Sequence, residues 1–262
     1  MSDHVLTSID KGVLTITLNR PDKKNALTEA MYAALGDGLQ RAAETPSIRA
    51  VLITANGDAF TAGNDLGDFA AAGNRPVDDG SVERPVARFL RLIATAEKPI
   101  IAAVNGLAVG VGVTMLLHCD LVYAGESATF QMPFVNLGLI PEAGSTLLLP
   151  RMIGVQKAGE LFLTGKKIGA AKAEQLGLVA DVFPDAELQE RARGIAQEIA
   201  AKAPTAIKLT KQLLRGGANH AEVAARMAEE GAHFGAQLRS AEVKEAISAF
   251  FEKRQPDFSK FG

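Results

Sequence analysis

Between Lys98 and Asp120 the chain reads KPIIAAVNGLAVGVGVTMLLHCD, with no formally charged residue between its two ends. A stretch like this has to be buried, and its change of character halfway limits how. Residues 99–104 form a short apolar run bounded by Lys98-Pro99 and Asn105-Gly106, which suits a strand covered on both faces. Residues 108–118 carry Val109, Val113, Leu116 and Leu117 at helical spacing. Gly106, Gly110 and Gly112, between and within these halves, allow a tight turn and a close backbone approach. A strand that passes through glycines into a helix start points unpaired N–H groups at one place in space. That construction can hold a developing negative oxygen.

Three other readings compete for the same residues. A membrane span is opposed by the central Asn-Gly, the repeated glycines and the strand-like first half. A dinucleotide-binding turn needs G-x-G-x-x-G, whereas Gly110-Val111-Gly112 is followed by Val113, Thr114 and Met115. A core βα unit with glycines used only for packing stays open.

The 262 residues are enough for one large domain or one with an appendage. With 47% hydrophobic and 22% charged residues and a net charge of −2, the chain reads as ordinary globular protein. It has no electrostatic footprint for nucleic acid or an anionic membrane. One cysteine, Cys119, excludes an internal disulfide and fits a reducing compartment. The opening MSDHVL is too polar for a signal peptide and the closing KFG is not a peroxisomal address, so a cytoplasmic location is expected.

In chain order, residues 5–19 predict a hairpin, with Leu14, Ile16 and Leu18 alternating with threonines and Asp10-Lys11-Gly12 at the turn. Thr28 predicts the cap of a helix bearing Met31, Tyr32, Leu35 and Leu39. Residues 50–54 predict a strand, and Asp65 the cap of a short helix. The small, polar, proline-interrupted residues 70–84 predict a mobile cover. A helix is expected over residues 86–97, strands at 121–124 and 129–131, and short strands at 166–168 and 178–183. After Phe183-Pro184-Asp185 almost everything predicts helix. The alternation is α/β, with no linker between independent domains.

One acid interrupts an apolar segment: Glu142, between Leu139-Ile140-Pro141 and Leu147-Leu148-Leu149. It reads either as a helix-start carboxylate satisfied by backbone N–H groups or as a general base whose pKa is raised by apolar walls. No metal-ligand cluster and no Ser-His-Asp arrangement is visible, and His118 reads as a packed helix residue.

Taken together, LNRPDKKNAL (18–27), FTAGNDL (60–66), KPIIAAVNGLAVGVGV (98–113), CDLVYAGESATF (119–130), LTGKKIGAAKAEQLGLV (163–179) and AISAFFEKRQPDF (246–258) resemble the enoyl-CoA hydratase/isomerase family, or crotonase superfamily. The resemblance spans nearly the whole chain, and the order and spacing of the motifs carry it. It implies an α/β, crotonase-like (ClpP/crotonase) spiral of ββα units over residues 1–184. A helical carboxyl-terminal region, residues 185–262, would support a trimer or a hexamer and close the active site. It also implies an acyl-CoA thioester substrate, no separate cofactor, no metal and no nucleic-acid or membrane partner.

By the same resemblance, the backbone N–H groups of Asn64 and Val111 would hold the thioester oxygen. Backbone groups around Lys24, Ala26, Ala62, Asp65 and Leu66 would bind CoA, and Phe134 falls among the substrate-binding positions. Lys24, or Lys253 and Lys260 from a neighbouring carboxyl-terminal helix, would meet phosphates. Family members that hydrate a 2-enoyl-CoA typically use two glutamates, whose positions here are Thr114 and Phe134. Neither offers a carboxylate. The peroxisomal-type Δ3,Δ2-enoyl-CoA isomerase branch is similar in Gly63-Asn64-Asp65-Leu66, Pro133-Phe134, Leu137-Gly138 and Pro141-Glu142, and there the glutamate of the last pair is the base. Isomerisation through Glu142 is therefore the expected activity. The alternatives are hydration or another crotonase-type lyase reaction, and a non-catalytic CoA-thioester-binding role.

Overall fold

The computed structural model describes residues 3–65, 67–68, 83–215 and 220–262. The chain opens with the expected hairpin, β1 (Val5–Asp10) and β2 (Val13–Leu18), turning through Lys11 and Gly12 at positive φ. Helix α1 (Glu29–Glu44) starts at Thr28, whose hydroxyl accepts the Met31 N–H at 3.3 Å. Strand β3 (Ala50–Ala55) then lies parallel to β2, and β4 (Ala59–Thr61) leaves for a second sheet.

The same excursion repeats twice. Helix α2 (Pro85–Ala94) leads to β5 (Ile100–Val104) in the first sheet and β6 (Leu107–Val109) in the second. Helix α3 (Val111–Thr114) continues as a 3-10 turn, Met115–His118, before β7 (Leu121–Gly125) and β8 (Thr129–Gln131). Then come α4 (Ser145–Ile153), α5 (Val155–Thr164), β9 (Ile168–Gly169), α6 (Ala170–Leu176) and β10 (Asp181–Phe183). The last four regular helices are α7 (Leu188–Ala201), α8 (Pro204–Arg215), α9 (His220–Gln237) and α10 (Ala241–Phe251). The sheets run β1-β2-β3-β5-β7-β10 and β4-β6-β8-β9.

The central strands β3 and β5 of the first sheet are buried on both faces, which is why they are mostly apolar rather than alternating. Val51, Ile53, Ile100, Ala102 and Val104 face the main core with α1 and α2. Their neighbours Ala50, Leu52, Ile101 and Ala103 face the other way, onto Leu188, Ala192, Ala196 and Ala200 of α7. A four-residue spacing keeps those α7 residues on one side of the helix, so the first helix of the carboxyl-terminal region belongs to the core of the sheet.

The central stretch departs from the sequence expectation. The strand does not run straight into a helix; Gly106, at φ 59°, turns the chain into an additional strand, β6, and helix begins only at Val111. Periodicity missed β6 because three residues are too few to show alternation. The first short strand is displaced to Ile168–Gly169, the second is trimmed to Asp181–Phe183, and the helix expected to reach 97 ends at Ala94. Residues 70–82 of the expected cover lie outside the described residues.

Gly106 is fixed by contact as well as by φ: a Cβ there would stand 1.9 Å from the Asp58 carbonyl oxygen. Gly106→Ala is expected to destabilise the fold by about 3 kcal/mol or more. Gly159→Ala, on an open face of α5 where a Cβ meets nothing within 4 Å, is expected to be neutral or stabilising by up to ~1 kcal/mol. Urea unfolding of both variants checks the contrast.

Candidate active site

Strands β4 and β6 are parallel neighbours, pairing Ala59 with Leu107 and Thr61 with Ala108. Their chains therefore leave the second sheet at the same end. After β4 come Ala62, Gly63 and Asn64; after β6 come Gly110 and Val111. Gly63, at φ 88°, lies so close that a Cβ there would meet the Val109 carbonyl oxygen at 2.9 Å. Gly112 packs on Thr61, whose Cγ2 would be 2.5 Å from an added Cβ. These two contacts bring the Asn64 and Val111 segments side by side, and glycine is required at both.

The Asn64 segment is also tied to the chain before α1. Leu27 N–H donates to Gly63 O at 2.8 Å and Asp65 N–H to Leu27 O at 2.9 Å, leaving the Asn64 N–H between them outside that bridge. Val111 N–H belongs to the first helical position of α3, where no intrahelical acceptor exists. Among the described residues neither N–H has an acceptor. Tyr32 Oη donates to the Asn64 side-chain oxygen.

Asn64, Asp65, Tyr32 and Glu142 line one cavity of about 470 Å³. Its other walls are largely apolar: Leu27 before α1, Val86 and Leu90 from α2, and Met227 and Phe234 from α9. Val111 is buried at 2% exposure and lies outside the lining set.

Glu142 enters the cavity from the turn before α4. One carboxylate oxygen accepts the Thr114 hydroxyl. Burial pushes its pKa up to about 7; the Thr114 hydrogen bond opposes the shift, and the nearby negative charge of Glu230 adds to it. The helix-start reading of Glu142 is not what the structure holds. The cap position of α4 is Gly144, and its N–H donates to Glu230 Oε2 at 2.6 Å. Thr146 N–H and Oγ1 donate to Glu230 Oε1 at 2.9 and 2.6 Å. A carboxylate from α9 thus occupies the helix start, which frees Glu142 to face the cavity.

The other sequence-predicted positions fall into separate places. Ala62 N–H donates to Lys24 O at 2.9 Å, while Ala26 N–H donates to Lys23 O at 3.0 Å and its carbonyl accepts Arg20 Nη1 at 3.0 Å. Asp65 pairs with Arg20 at 2.7 Å, and the Arg20 hydrogen bond is the main force holding its carboxyl below the usual range. Asp65 also accepts the Gly67 N–H at 3.0 Å, the expected capping contact. Phe134 is buried in the main core, away from the cavity lining. Lys253 borders a separate hollow with Phe250 and Phe251 at the end of α10, and Lys260 pairs with Asp257. Leu66 lies outside the described residues.

Sequence reasoning missed four groups that shape the site. Buried Asn25 ties Arg20, Asn56 and Ala59 together through its side chain. Tyr32, which the spacing puts on the apolar side of α1, donates to the Asn64 side chain. His118, buried with its pKa lowered to about 4 chiefly by desolvation, bonds the Ala143 carbonyl at 2.8 Å through Nε2. Glu230 was legible as an anomaly: it falls three residues after Met227 and four before Phe234, on the face where helical spacing calls for an apolar residue.

The raised pKa of Glu142 makes stability depend on pH. Between the ordinary carboxylate value near 4.5 and about 7, the folded chain holds the proton that the unfolded chain has lost, so this group's contribution becomes more unfavourable as pH rises. Glu142→Gln is therefore expected to melt higher than wild type at pH 8, by a margin corresponding to at most ~3 kcal/mol. The two melting temperatures should converge near pH 4.5 in calorimetry.

A family model described as enoyl-CoA hydratase/isomerase matches residues 8–260. The chain is 36% identical over 261 residues to 1,2-epoxyphenylacetyl-CoA isomerase of Escherichia coli (strain K12), covering 99% of each chain. It is 39% identical over 254 residues to 2,3-dehydroadipyl-CoA hydratase of the same organism, covering 97% of this chain and 98% of that one. A crystal structure of an enoyl-CoA hydratase/isomerase from Pseudoalteromonas atlantica T6c matches with a TM-score of 0.92 at 50% identity, over 98% of this chain and 100% of that one. The fold is crotonase-like, and this chain belongs to the enoyl-CoA hydratase/isomerase family.

Proposed function

We propose that the protein is a Δ3,Δ2-enoyl-CoA isomerase that uses Glu142 as its only acid–base group. The carrying observation is the direct bond between Thr114 and Glu142. Where the two-glutamate hydratase pattern has its first carboxylate, this chain has the Thr114 hydroxyl, which donates to Glu142, an acid outside that pattern. Phe134, at the other hydratase position, lies in the core. Among the carboxylates that line the cavity, buried Glu142 has a proton affinity suited to accepting a proton near neutral pH, whereas Arg20 holds Asp65 below the usual range.

In this reading the thioester carbonyl oxygen rests between the N–H groups of Asn64 and Val111. Ionised Glu142 removes a proton from C2, and the C2–H electron pair moves into the C1–C2 bond as charge builds on the oxygen. The carbonyl then reforms, C2–C3 becomes double, the C3–C4 pair takes the proton back at C4, and Glu142 is ionised again. Fixed donors in a dry site stabilise the intermediate charge, and each such donor is typically worth ~3–4 kcal/mol. CoA itself would be held by backbone groups around Lys24, Ala26, Ala62, Asp65 and Leu66.

Lys253 would reach CoA from a neighbouring subunit. Exposed Leu209, Leu213 and Leu214 on α8 and Phe250 and Phe251 on α10 fit a homotrimer or hexamer that covers them. Hydration through Glu142 is the second reading, supported by the 2,3-dehydroadipyl-CoA hydratase likeness.

With 3-hexenoyl-CoA as substrate, formation of the conjugated 2-enoyl product is expected to exceed hydration of 2-hexenoyl-CoA. Glu142→Gln is expected to lower isomerisation by ~10³-fold or more. Wild-type kcat/KM should rise with pH through about 7. Thr114→Val removes the hydrogen bond that favours the ionised form, so that limb should move to higher pH. Hydration without isomerisation, or isomerisation indifferent to Glu142, overturns the assignment.

A further inference from the structure

The turn carrying Glu142 adopts a backbone that an ordinary residue resists. Ala143 sits at φ 63° and Gly144 at φ 71°, two consecutive left-handed positions, the first with a Cβ. The structure holds this turn from two sides. His118 donates from Nε2 to Ala143 O at 2.8 Å, and Glu230 reaches from α9 to accept Gly144 N–H at 2.6 Å and both Thr146 donors. Glu230 is 3% exposed, so its burial is offset chiefly by these three bonds and by the start of α4.

We propose that Glu230, with His118, is a positioning residue: the pair clamps the Ala143-Gly144 turn in its left-handed form and thereby aims the Glu142 carboxylate into the cavity. The proposal rests on the reading of Glu142 as the base. Neither clamp residue touches the reacting atoms. The arrangement also registers the base against the cavity wall, because α9 presents Met227 and Phe234 to the same space. A glutamine at 230 keeps the size but has one acceptor oxygen, and its amide N–H₂ would face a donor. Released from the clamp, Ala143 is free to relax toward the right-handed region and turn Glu142 away.

The experiment compares Glu142→Gln, Glu230→Gln, the milder Thr146→Val and the double variant Glu230→Gln with Ala143→Gly on 3-hexenoyl-CoA, with thermal melts alongside. Glu230→Gln is expected to lower kcat tenfold or more while KM changes less than threefold. Thr146→Val should give a smaller loss, two- to fivefold, in the same parameter. Glycine at 143 tolerates the left-handed turn unaided, so the double variant should recover at least threefold of the lost kcat.

The acidic limb of the kcat profile gives a second readout. Glu142 faces Tyr32 of α1, the Thr114 hydroxyl of α3 and Glu230 of α9, with Glu29, Asp65, Asp68, Arg84, Arg91 and His220 lining the same cavity. His118 reaches the turn through the Ala143 carbonyl. Removing the Glu230 charge should move the limb to lower pH. Unchanged kcat in Glu230→Gln, or a loss that follows melting temperature and KM with no recovery in the double variant, overturns the positioning role while leaving Glu142 as base. Full activity in Glu142→Gln overturns both.

Discussion

Removing a carboxylate from water is unfavourable unless hydrogen bonds replace hydration, and at Glu142 the replacement is partial. Thr114 supplies one donor, while the walls of the cavity are mostly aliphatic and aromatic. The result is a group whose proton affinity sits near neutrality rather than in the acid range. That imbalance explains why the surrounding structure is so heavily committed. The backbone N–H groups that would otherwise have satisfied Glu142 are taken by Glu230, and the turn between them is kept in an uncommon conformation. Fully satisfied, Glu142 would be a better cap and a poorer base.

The rest of the site follows from how the sheets are laid out. Each excursion of the chain between sheets ends with a parallel strand whose carboxyl end empties into the same region. Adjacent parallel strands β4 and β6 therefore deliver Asn64 and Val111 to the same end of the sheet. Close approach at Gly63 and Gly112 sets the spacing. Donors of this kind belong to the backbone, so they depend on glycine placement and strand register more than on the identity of the residue that carries them. This is why valine at 111 is compatible with the role proposed for it.

Much of this was legible in the sequence, for physical reasons that differ from residue to residue. The hairpin, the Thr28 cap and the doubly buried strands follow from period-two patterning, a capping side chain and apolar runs bounded by turn residues. Glu142 stood out because an acid interrupts an apolar run. β6 did not, since three residues at a corner carry no periodicity. The two readings of Glu142 were inseparable in sequence because the deciding partner, Glu230, lies 88 residues away (230 − 142) on another helix. Tyr32 and His118 were hidden for a related reason: each occupies a position that apolar spacing explains equally well, and only the tertiary contact reveals the polar tip at work.

Isotope-edited NMR gives the most direct test of the central claim, that Glu142 is a dry carboxylate poised to take a proton near neutral pH. The side-chain carboxyl carbons of glutamate would be labelled with carbon-13, and the Glu142 signal assigned by its loss in Glu142→Gln. The account predicts a titration midpoint near pH 7 in the free protein. A midpoint close to the ordinary value of about 4.5 would mean that Glu142 is hydrated, and would contradict the account at its root.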